Sequence, residues 1–241
     1  MNKNCSCCVI LLAAGKSSRF KGTTKKQFYQ IKDKTLLEYC LETFASLKFI
    51  KQVIITINKN DEYLVNEMLK NYKLKACLTV VYGGKERYNS VTNSLKAVNG
   101  EVEYVLIHDV ARPLVSKKII ISCLKELKEK NYDCVVPATH PVDTVKIIDD
   151  NYRVVRTLDR DKLVLVQTPQ VFKIDVAKYI YSDKILYKWI KKKRITDDAQ
   201  LAELEGFKVK VIIGDKYNLK VTTKEDIDFI NFYLNKLKLK K

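Results

Sequence analysis

Short apolar runs alternate with longer amphipathic stretches along most of the chain. Strands buried in a parallel sheet read as continuous apolar runs, whereas a helix buries residues spaced three and four apart. The runs predict strands at residues 9–12, 53–57, 78–81, 104–107, 134–137 and 209–213, and helices after Thr35 and at 61–70, 87–98, 117–130 and 198–205. This alternation predicts one α/β domain over residues 1–241 with a doubly wound, mostly parallel sheet.

Residues 143–160 interrupt this pattern. Two stretches, 144–148 and 152–157, flank a polar turn at residues 149–151, which predicts a β-hairpin. An isolated two-stranded ribbon is marginal in water, so it should lie against something. A second subunit is the favoured partner, which makes residues 143–160 a projecting dimerisation arm. An antiparallel addition to the chain's own sheet is the alternative.

Small residues and cations follow the first apolar run. Ala13, Ala14 and Gly15 let backbone N–H groups approach a ligand, and Arg19 and Lys26 come just behind them. Ligands of such sheets collect outside the carboxyl ends of the strands, where residues 83–87 and 109–112 should also lie. These segments predict a site for a phosphate-rich nucleotide. The alternative is a tight turn whose lysines are solvated and bind no ligand.

Two better-known phosphate loops are disfavoured at this turn. A P-loop requires a glycine where Ile10 stands inside the predicted strand. A dinucleotide fingerprint requires three spaced glycines, and this turn supplies only Gly15. The remaining interpretation is a nucleoside triphosphate lying over the sheet edge.

The net charge of +17, from 45 basic and 28 acidic residues, raises the alternative of a nucleic-acid-binding module. Only seven of the basic residues are arginine, and the lysines are spread through most helices. Because no nucleic-acid motif accompanies them, we expect no nucleic-acid partner.

Cysteine usage and hydropathy indicate the compartment. Seven scattered cysteines are typical of reduced thiols in a cytoplasmic protein. Cys5 and Cys8 form a lone C-x-x-C, which is weak support for zinc, so we expect no protein-held metal site. No stretch approaches the roughly 18 apolar residues that cross a bilayer, so we expect no membrane partner.

Taken in order, the segments of this chain resemble the cytidylyltransferases that act on sugar-alcohol phosphates, most closely those that use 2-C-methyl-D-erythritol 4-phosphate. The resemblance covers nearly the whole chain. It rests on Ala13-Ala14-Gly15 with Arg19; Lys26-Gln27-Phe28; Gly83-Gly84 with Glu86-Arg87 and Ser90-Val91; His108-Asp109 with Ala111-Arg112-Pro113; Asp143-Thr144-Val145-Lys146; Thr157-Leu158-Asp159-Arg160; Gln167-Thr168-Pro169-Gln170; Asp197-Asp198-Ala199; and Asn218 with Lys220 and Thr222.

The resemblance implies a Rossmann-like fold of the nucleotide-diphospho-sugar transferase type and a defined reaction. CMP would pass from CTP to 2-C-methyl-D-erythritol 4-phosphate, with release of pyrophosphate, in isoprenoid precursor synthesis by the non-mevalonate route. A ribitol 5-phosphate cytidylyltransferase is the alternative within the same fold. The segments 143–146 and 157–160 favour methylerythritol over ribitol. A homodimer and Mg²⁺ held mainly by the CTP phosphates are also implied.

The resemblance assigns site residues by position. Those implied for catalysis are Arg19, Lys26, Arg160 and Lys220, of which Lys220 would position the acceptor. Those implied for CTP binding are Ala13, Ala14, Gly15, Gly84, Arg87 and Ser90. Those implied for the acceptor are Asp109, Arg112, Thr144 and Thr168, with Thr144 and Arg160 supplied by the neighbouring subunit.

Structural roles compete with some of these assignments. Asp109 could cap the turn before Pro113, and Thr144 could serve only as a strand residue. Arg160 could form a surface ion pair. His108 is expected to be a hydrogen-bonded residue at a strand end and not a catalyst.

Two positions depart from the family's loop. Ser17 stands where the family usually has a second glycine, and Lys25 stands where it usually has a proline before the lysine. We expect altered loop geometry or affinity without loss of the chemistry.

Overall fold

Every predicted strand is present, most of them a residue or more longer than expected. The computed structural model describes residues 5–17, 20, 24–70, 72–192 and 195–238. The strands are β1 (Cys7–Leu12), β2 (Gln30–Ile31), β3 (Lys34–Thr35), β4 (Ile50–Ile57), β5 (Cys77–Tyr82), β6 (Tyr104–Asp109), β7 (Cys134–Thr139), β8 (Lys146–Ile148), β9 (Val154–Thr157), β10 (Leu165–Val166), β11 (Gln170–Lys173) and β12 (Val209–Ile213).

The helices follow the strands in the order that the alternating pattern predicts. They are α1 (Leu36–Ala45), α2 (Glu62–Leu69), α3 (Arg87–Lys96), α4 (Lys117–Glu129), α5 (Ile174–Ile180), α6 (Asp183–Ile190), α7 (Asp198–Leu204) and α8 (Glu225–Lys238). Within the described ranges, no helix combines the length and the apolar character needed to span a membrane.

The central sheet is mostly parallel. Its main strand order is β5-β4-β1-β6-β11-β7, and β12 lies alongside β7 in parallel. The pairs β1/β4, β1/β6 and β4/β5 are parallel. The pairing of β4 with β5 is in continuous register. Two strands are exceptions, because β11 runs antiparallel to both β6 and β7, and β10 runs antiparallel to β7. The prediction of a doubly wound, mostly parallel sheet is therefore confirmed.

Helices cover both faces of this sheet. One face packs against α1, α2, α4 and α8, and the other packs against α3, α5, α6 and α7. Alternation along β1 shows the division: Val9 belongs to the first core and Ile10 to the second, and both are fully buried. Cys5 and Cys8 likewise lie on opposite faces, so the C-x-x-C spacing does not bring their thiols together as paired ligands.

Local signals in the sequence explain where several helices begin and end. The Thr35 hydroxyl accepts a hydrogen bond from the Glu38 amide at 3.2 Å, and the Glu38 carboxylate accepts one from the Thr35 amide at 2.7 Å, which completes a capping box. Gly206 has a φ of +79°, the left-handed conformation that glycine supplies after a helix end.

The hairpin at residues 146–157 stands apart from the central sheet. β8 and β9 pair with each other in a separate two-stranded sheet, antiparallel as predicted. The side chains of Tyr152, Val154 and Val155 are largely exposed. The alternative, in which this hairpin extends the chain's own sheet, is wrong. The antiparallel strands of the central sheet are β10 and β11, and the sequence pattern predicted neither.

Candidate active site

Hydrogen bonds with β4 and with Gln27 fix the turn after β1. Sheet pairing extends one residue beyond β1, where the Ala13 amide donates to the Thr56 carbonyl at 2.8 Å. The buried Gln27 amide then donates to the carbonyls of Ala13 at 2.8 Å and Gly15 at 3.2 Å. A Cβ atom on Gly15 would meet no protein atom within 4 Å. The backbone at Gly15 therefore borders open space that a ligand can approach.

The second turn, between β5 and α3, requires glycine because the chain is crowded there. A Cβ on Gly83 would lie 2.5 Å from the Ala14 Cβ, and one on Gly84 would lie 2.3 Å from the Asn89 Cβ. The Gly84 amide donates to the Ser90 hydroxyl at 3.1 Å. The Ala13–Gly15 turn and the start of α3 thus meet at the same end of the sheet, as the rule for parallel strands predicts.

These turns enclose a cavity of about 730 Å³ at the carboxyl ends of β1, β5 and β6. Its described lining holds six cationic and two anionic side chains, so the cavity attracts anions. The cations are Lys16, Lys26, Lys59, Lys85, Arg87 and Lys220, and the carboxylates are Glu86 and Asp109. The Lys26 ammonium donates to the Val221 carbonyl at 3.0 Å, which ties it to the segment that carries Lys220.

Two of these cations, Arg87 and Lys220, belong to a chain of charges that leads back to the fully buried Asp198. Arg87 holds Asp198 through two hydrogen bonds, of 2.6 and 2.7 Å, and Asp198 also accepts one from the Tyr181 hydroxyl. The same guanidinium lies 3.3 Å from one oxygen of Asp109, and the Lys220 ammonium lies 2.6 Å from the other oxygen. Burial alone would raise the pKa of Asp109, but the charges of Arg87 and Lys220 outweigh it and hold that pKa well below its usual range.

His108, next to Asp109 in the chain, is fully buried in a chain of hydrogen bonds. The Asp109 amide donates to the Thr168 hydroxyl at 3.1 Å, and that hydroxyl lies 3.0 Å from His108 Nδ1. His108 Nε2 lies 3.1 Å from the Arg112 carbonyl, which can only accept, so Nε2 carries the proton and the Thr168 hydroxyl donates to Nδ1. Burial lowers the pKa of His108 to about 4. His108 is therefore a neutral structural residue, as the sequence suggested.

The residues singled out from the sequence fall into three groups by position. Those that line the cavity are Ala13, Ala14, Gly15, Lys26, Gly84, Arg87, Ser90, Asp109 and Lys220. Thr168 and Arg112 lie just behind it, and Arg112 donates to the Asn218 carbonyl at 2.7 Å. Thr144 and Arg160 are exposed near the hairpin and do not line the cavity within one chain. Arg19 lies outside the described residues.

The geometry revises the interpretation of Arg87. The resemblance implies that Arg87 binds CTP, and the structure directs its guanidinium at the carboxylates of Asp198 and Asp109. Arg87 borders the cavity, and its direct contact with CTP stays a prediction. Its visible effect is to fix Asp109, and through Asp109 the ammonium of Lys220.

Several cavity residues were not assigned a role from the sequence. They are Lys16, Gln27, Asn58, Lys59 and Lys85. Asn58 and Lys59 follow β4, so the rule that ligands gather at strand carboxyl ends could have found them. No pattern in the sequence predicts a site role for Gln27, because a glutamine beside a lysine is usually exposed to solvent. Its buried hydrogen bonds to Ala13 and Gly15 are visible only in the structure.

Comparison with known proteins agrees with this geometry. Residues 7–236 match the family model described as IspD, 2-C-methyl-D-erythritol 4-phosphate cytidylyltransferase. A protein of that name from Alkaliphilus metalliredigens is 36% identical over 95% of this chain and 93% of its own length. Another from Caldicellulosiruptor bescii is 37% identical over 91% of this chain and 93% of its own.

Solved structures show the same likeness. The 4-diphosphocytidyl-2C-methyl-D-erythritol synthase of Anaerococcus prevotii superimposes with a TM-score of 0.81 at 34% identity, covering 96% of this chain and 99% of that one. The 2-C-methyl-D-erythritol 4-phosphate cytidylyltransferase of Francisella tularensis gives a TM-score of 0.79 at 30% identity, covering 94% and 99%. Both support the Rossmann-like nucleotidyltransferase fold.

The buried His108 should leave a signature in the pH dependence of stability. Because its pKa is about 4 in the folded chain and ordinarily 6.5, the unfolded chain binds more protons between these pH values. Lowering the pH from 6.5 to 4 should therefore reduce the free energy of unfolding by about 3 kcal/mol through this residue. Denaturant titrations at several pH values measure this, and His108→Gln should flatten the slope. An equally steep slope in His108→Gln would contradict the assignment.

Proposed function

The chain belongs to the 2-C-methyl-D-erythritol 4-phosphate cytidylyltransferase family and transfers CMP from CTP to that acceptor, and we propose that the cation-lined cavity described above is where the transfer occurs. The products are 4-diphosphocytidyl-2-C-methyl-D-erythritol and pyrophosphate, in isoprenoid precursor synthesis. The observation that carries the assignment of the site is the gathering of six cations beside the open Ala13–Gly15 turn. A triphosphate and a phosphate monoester bring negative charge that such a lining can balance.

The reaction needs alignment and charge compensation more than proton transfer. A phosphate oxygen of the acceptor attacks the α-phosphorus of CTP, a new P–O bond forms, and the bond to the β-phosphate breaks as pyrophosphate leaves. The attacking phosphate is already ionised at neutral pH, so no general base is required. The described cavity lining includes no histidine, and His108 is sealed behind it with both ring nitrogens hydrogen-bonded.

The nucleotide occupies the side of the cavity formed by the two small-residue turns. Ala13, Ala14, Gly15, Gly84 and Ser90 let the backbone approach the cytosine and ribose closely, which disfavours a bulkier purine. Lys26 faces the triphosphate, where it stabilises the charge that develops at the α-phosphorus and on the departing pyrophosphate. Arg19, which lies outside the described residues, is proposed to act with it.

The acceptor occupies the side of the cavity formed by β6 and the segment around Lys220. Asp109 fixes the Lys220 ammonium at 2.6 Å, so this cation is already placed before the acceptor phosphate arrives. Thr168 and Arg112 support this side from behind. The Arg112 guanidinium donates to the Asn218 carbonyl, in the segment that leads to Lys220.

Magnesium is proposed to enter with the nucleotide. In the described part of the chain, no three histidine, cysteine or acidic side chains come together as a metal site. The two oxygens of Asp109 already face Arg87 and Lys220. This donor set suits Mg²⁺ held mainly by CTP phosphates, where it would neutralise charge on the leaving pyrophosphate.

The hairpin is proposed to complete the site of a partner subunit in a homodimer. Tyr152, Val154 and Val155 leave a largely exposed surface on a ribbon that pairs only with itself among the described strands. A two-stranded ribbon gains stability by packing against another surface. Thr144 and Arg160 lie beside this ribbon, away from the cavity of their own chain, and so would reach the cavity of the partner.

The activity itself is tested by measuring pyrophosphate release. With Mg²⁺ and CTP, purified protein should release pyrophosphate rapidly with 2-C-methyl-D-erythritol 4-phosphate and far more slowly with ribitol 5-phosphate. Chelation of Mg²⁺ by EDTA should stop the reaction, and added Mg²⁺ should restore it. Faster turnover of ribitol 5-phosphate would overturn the acceptor assignment, and full activity in excess EDTA would overturn the role of the metal.

Shared sites are tested by mixing two inactive variants. Lys26→Ala removes a transition-state cation and should lower kcat by about a hundredfold, and Arg160→Ala should also lower it steeply. When the two variants are unfolded, mixed and refolded together, mixed dimers hold one intact site, so about a quarter of the wild-type rate should return. Refolding each variant alone is the control. No recovery in the mixture would place Arg160 in the site of its own chain.

A further inference from the structure

The loop that carries Lys26 is held by polar contacts on both sides. On one side, Ser17 adopts a φ of +55°, in the left-handed region that non-glycine residues rarely occupy. Its hydroxyl donates to the side-chain oxygen Oε1 of Gln27 at 2.9 Å and accepts from the backbone amide of Lys26 at 3.2 Å. The same Gln27 side chain holds the Ala13 and Gly15 carbonyls, so the Ser17 hydroxyl joins the first turn to the loop.

On the other side, Lys25 points away from the cavity. Its ammonium lies 2.7 and 2.8 Å from the two oxygens of Asp61, whose side chain is only 9% exposed. Asp61 ends the short helical turn that carries Lys59, and Lys59 lines the cavity together with Lys26. The ion pair therefore fastens the Lys26 loop to the loop after β4.

The backbone of Lys25 shows what else could hold this loop. Lys25 has a φ of −63° and a ψ of 140°, and proline fixes φ near −65°. The conformation is one that a proline would enforce covalently. Here a lysine adopts it, and the bond to Asp61 supplies the restraint.

We propose that Ser17 and Lys25 are positioning residues that hold Lys26 in the triphosphate site, Ser17 through the Lys26 amide and Gln27, and Lys25 through Asp61. This inference rests on the proposed function. Lys16, Lys26 and Lys59 all line the cavity, and because like charges repel, the Lys26 loop needs anchors that do not depend on the nucleotide. Neither Ser17 nor Lys25 is required to touch CTP.

Loss of the Lys25–Asp61 pair should affect both the stability of the fold and the rate of the reaction. Lys25→Met leaves the Asp61 carboxylate, which is only 9% exposed, without its cation, so this variant should have a lower melting temperature than the wild type. A displacement of about 1 Å at a reacting group can cost up to about a hundredfold in rate. The consequence for Lys26 should therefore appear in kcat/KM for CTP, measured at a temperature at which each variant remains folded.

The test compares kcat/KM for CTP, together with melting temperature, across matched variants. Lys25→Met, Asp61→Asn and Ser17→Ala should each lower kcat/KM by about tenfold. Because Lys25 and Asp61 act through one contact, the double variant should lose about tenfold and not a hundredfold. Lys25→Pro should retain more activity than Lys25→Met, since proline keeps the observed φ. Lys34→Met is the control, because Lys34 forms a 2.8 Å pair with Glu42 at similar lysine exposure and does not line the cavity.

The outcomes separate this inference from the proposed function. An active wild type with unchanged kcat/KM in Lys25→Met and Ser17→Ala would overturn the inference alone. Losses that multiply in the Lys25 and Asp61 double variant would show that the pair does not act as a unit, and would also overturn it. A wild type that forms no pyrophosphate from CTP and the acceptor would overturn the proposed function and this inference with it.

Discussion

The ion pair between Arg87 and Asp198 is the interaction on which the site depends. Asp198 is fully buried, and a buried carboxylate is tolerated only when a cation and further hydrogen bonds compensate it. Arg87 and the Tyr181 hydroxyl supply both. Because Arg87 also faces Asp109, which faces Lys220, one chain of charges joins α7, α3 and β6 to the segment after β12. These parts lie far apart in sequence, and the pair fixes where they meet.

This arrangement separates two kinds of charge. The carboxylate of Asp198 is fully buried behind the cavity, and Asp109 lies between Arg87 and Lys220, whereas Lys16, Lys26, Lys59 and Lys85 line the cavity. Negative charge at the back holds cations in place without cancelling the attraction of the cavity for phosphates. Catalysis of phosphoryl transfer relies largely on such prior placement, since the groups need not reorganise as charge develops. In the site proposed here, this scaffold places the cations before the substrates bind, and the transfer needs no general base.

Local pattern predicted most of the fold and part of the site. The apolar runs placed β1, β4, β5 and β6, and the rule for parallel strands placed Gly15, Gly84 and Asp109 at one edge. The pattern missed β11, a four-residue antiparallel strand between parallel neighbours, because a short apolar run carries no direction. Asp198 was named only within the motif Asp197-Asp198-Ala199 and was given no role in the site, since its partner Arg87 is 111 residues away. Contacts over such distances leave no local trace.

The most direct measurement of this account is the effect of Asp198→Asn on stability and turnover together. This change keeps the size of the side chain but removes the charge opposite Arg87. The free energy of unfolding should fall by about 1.5–3 kcal/mol, because the hydrogen bonds from Arg87 and Tyr181 lose their charged acceptor. A lower kcat/KM for both substrates is also predicted at a temperature where the variant is still folded, because Asp109 and Lys220 lose their support. Wild-type stability together with wild-type turnover would contradict this account.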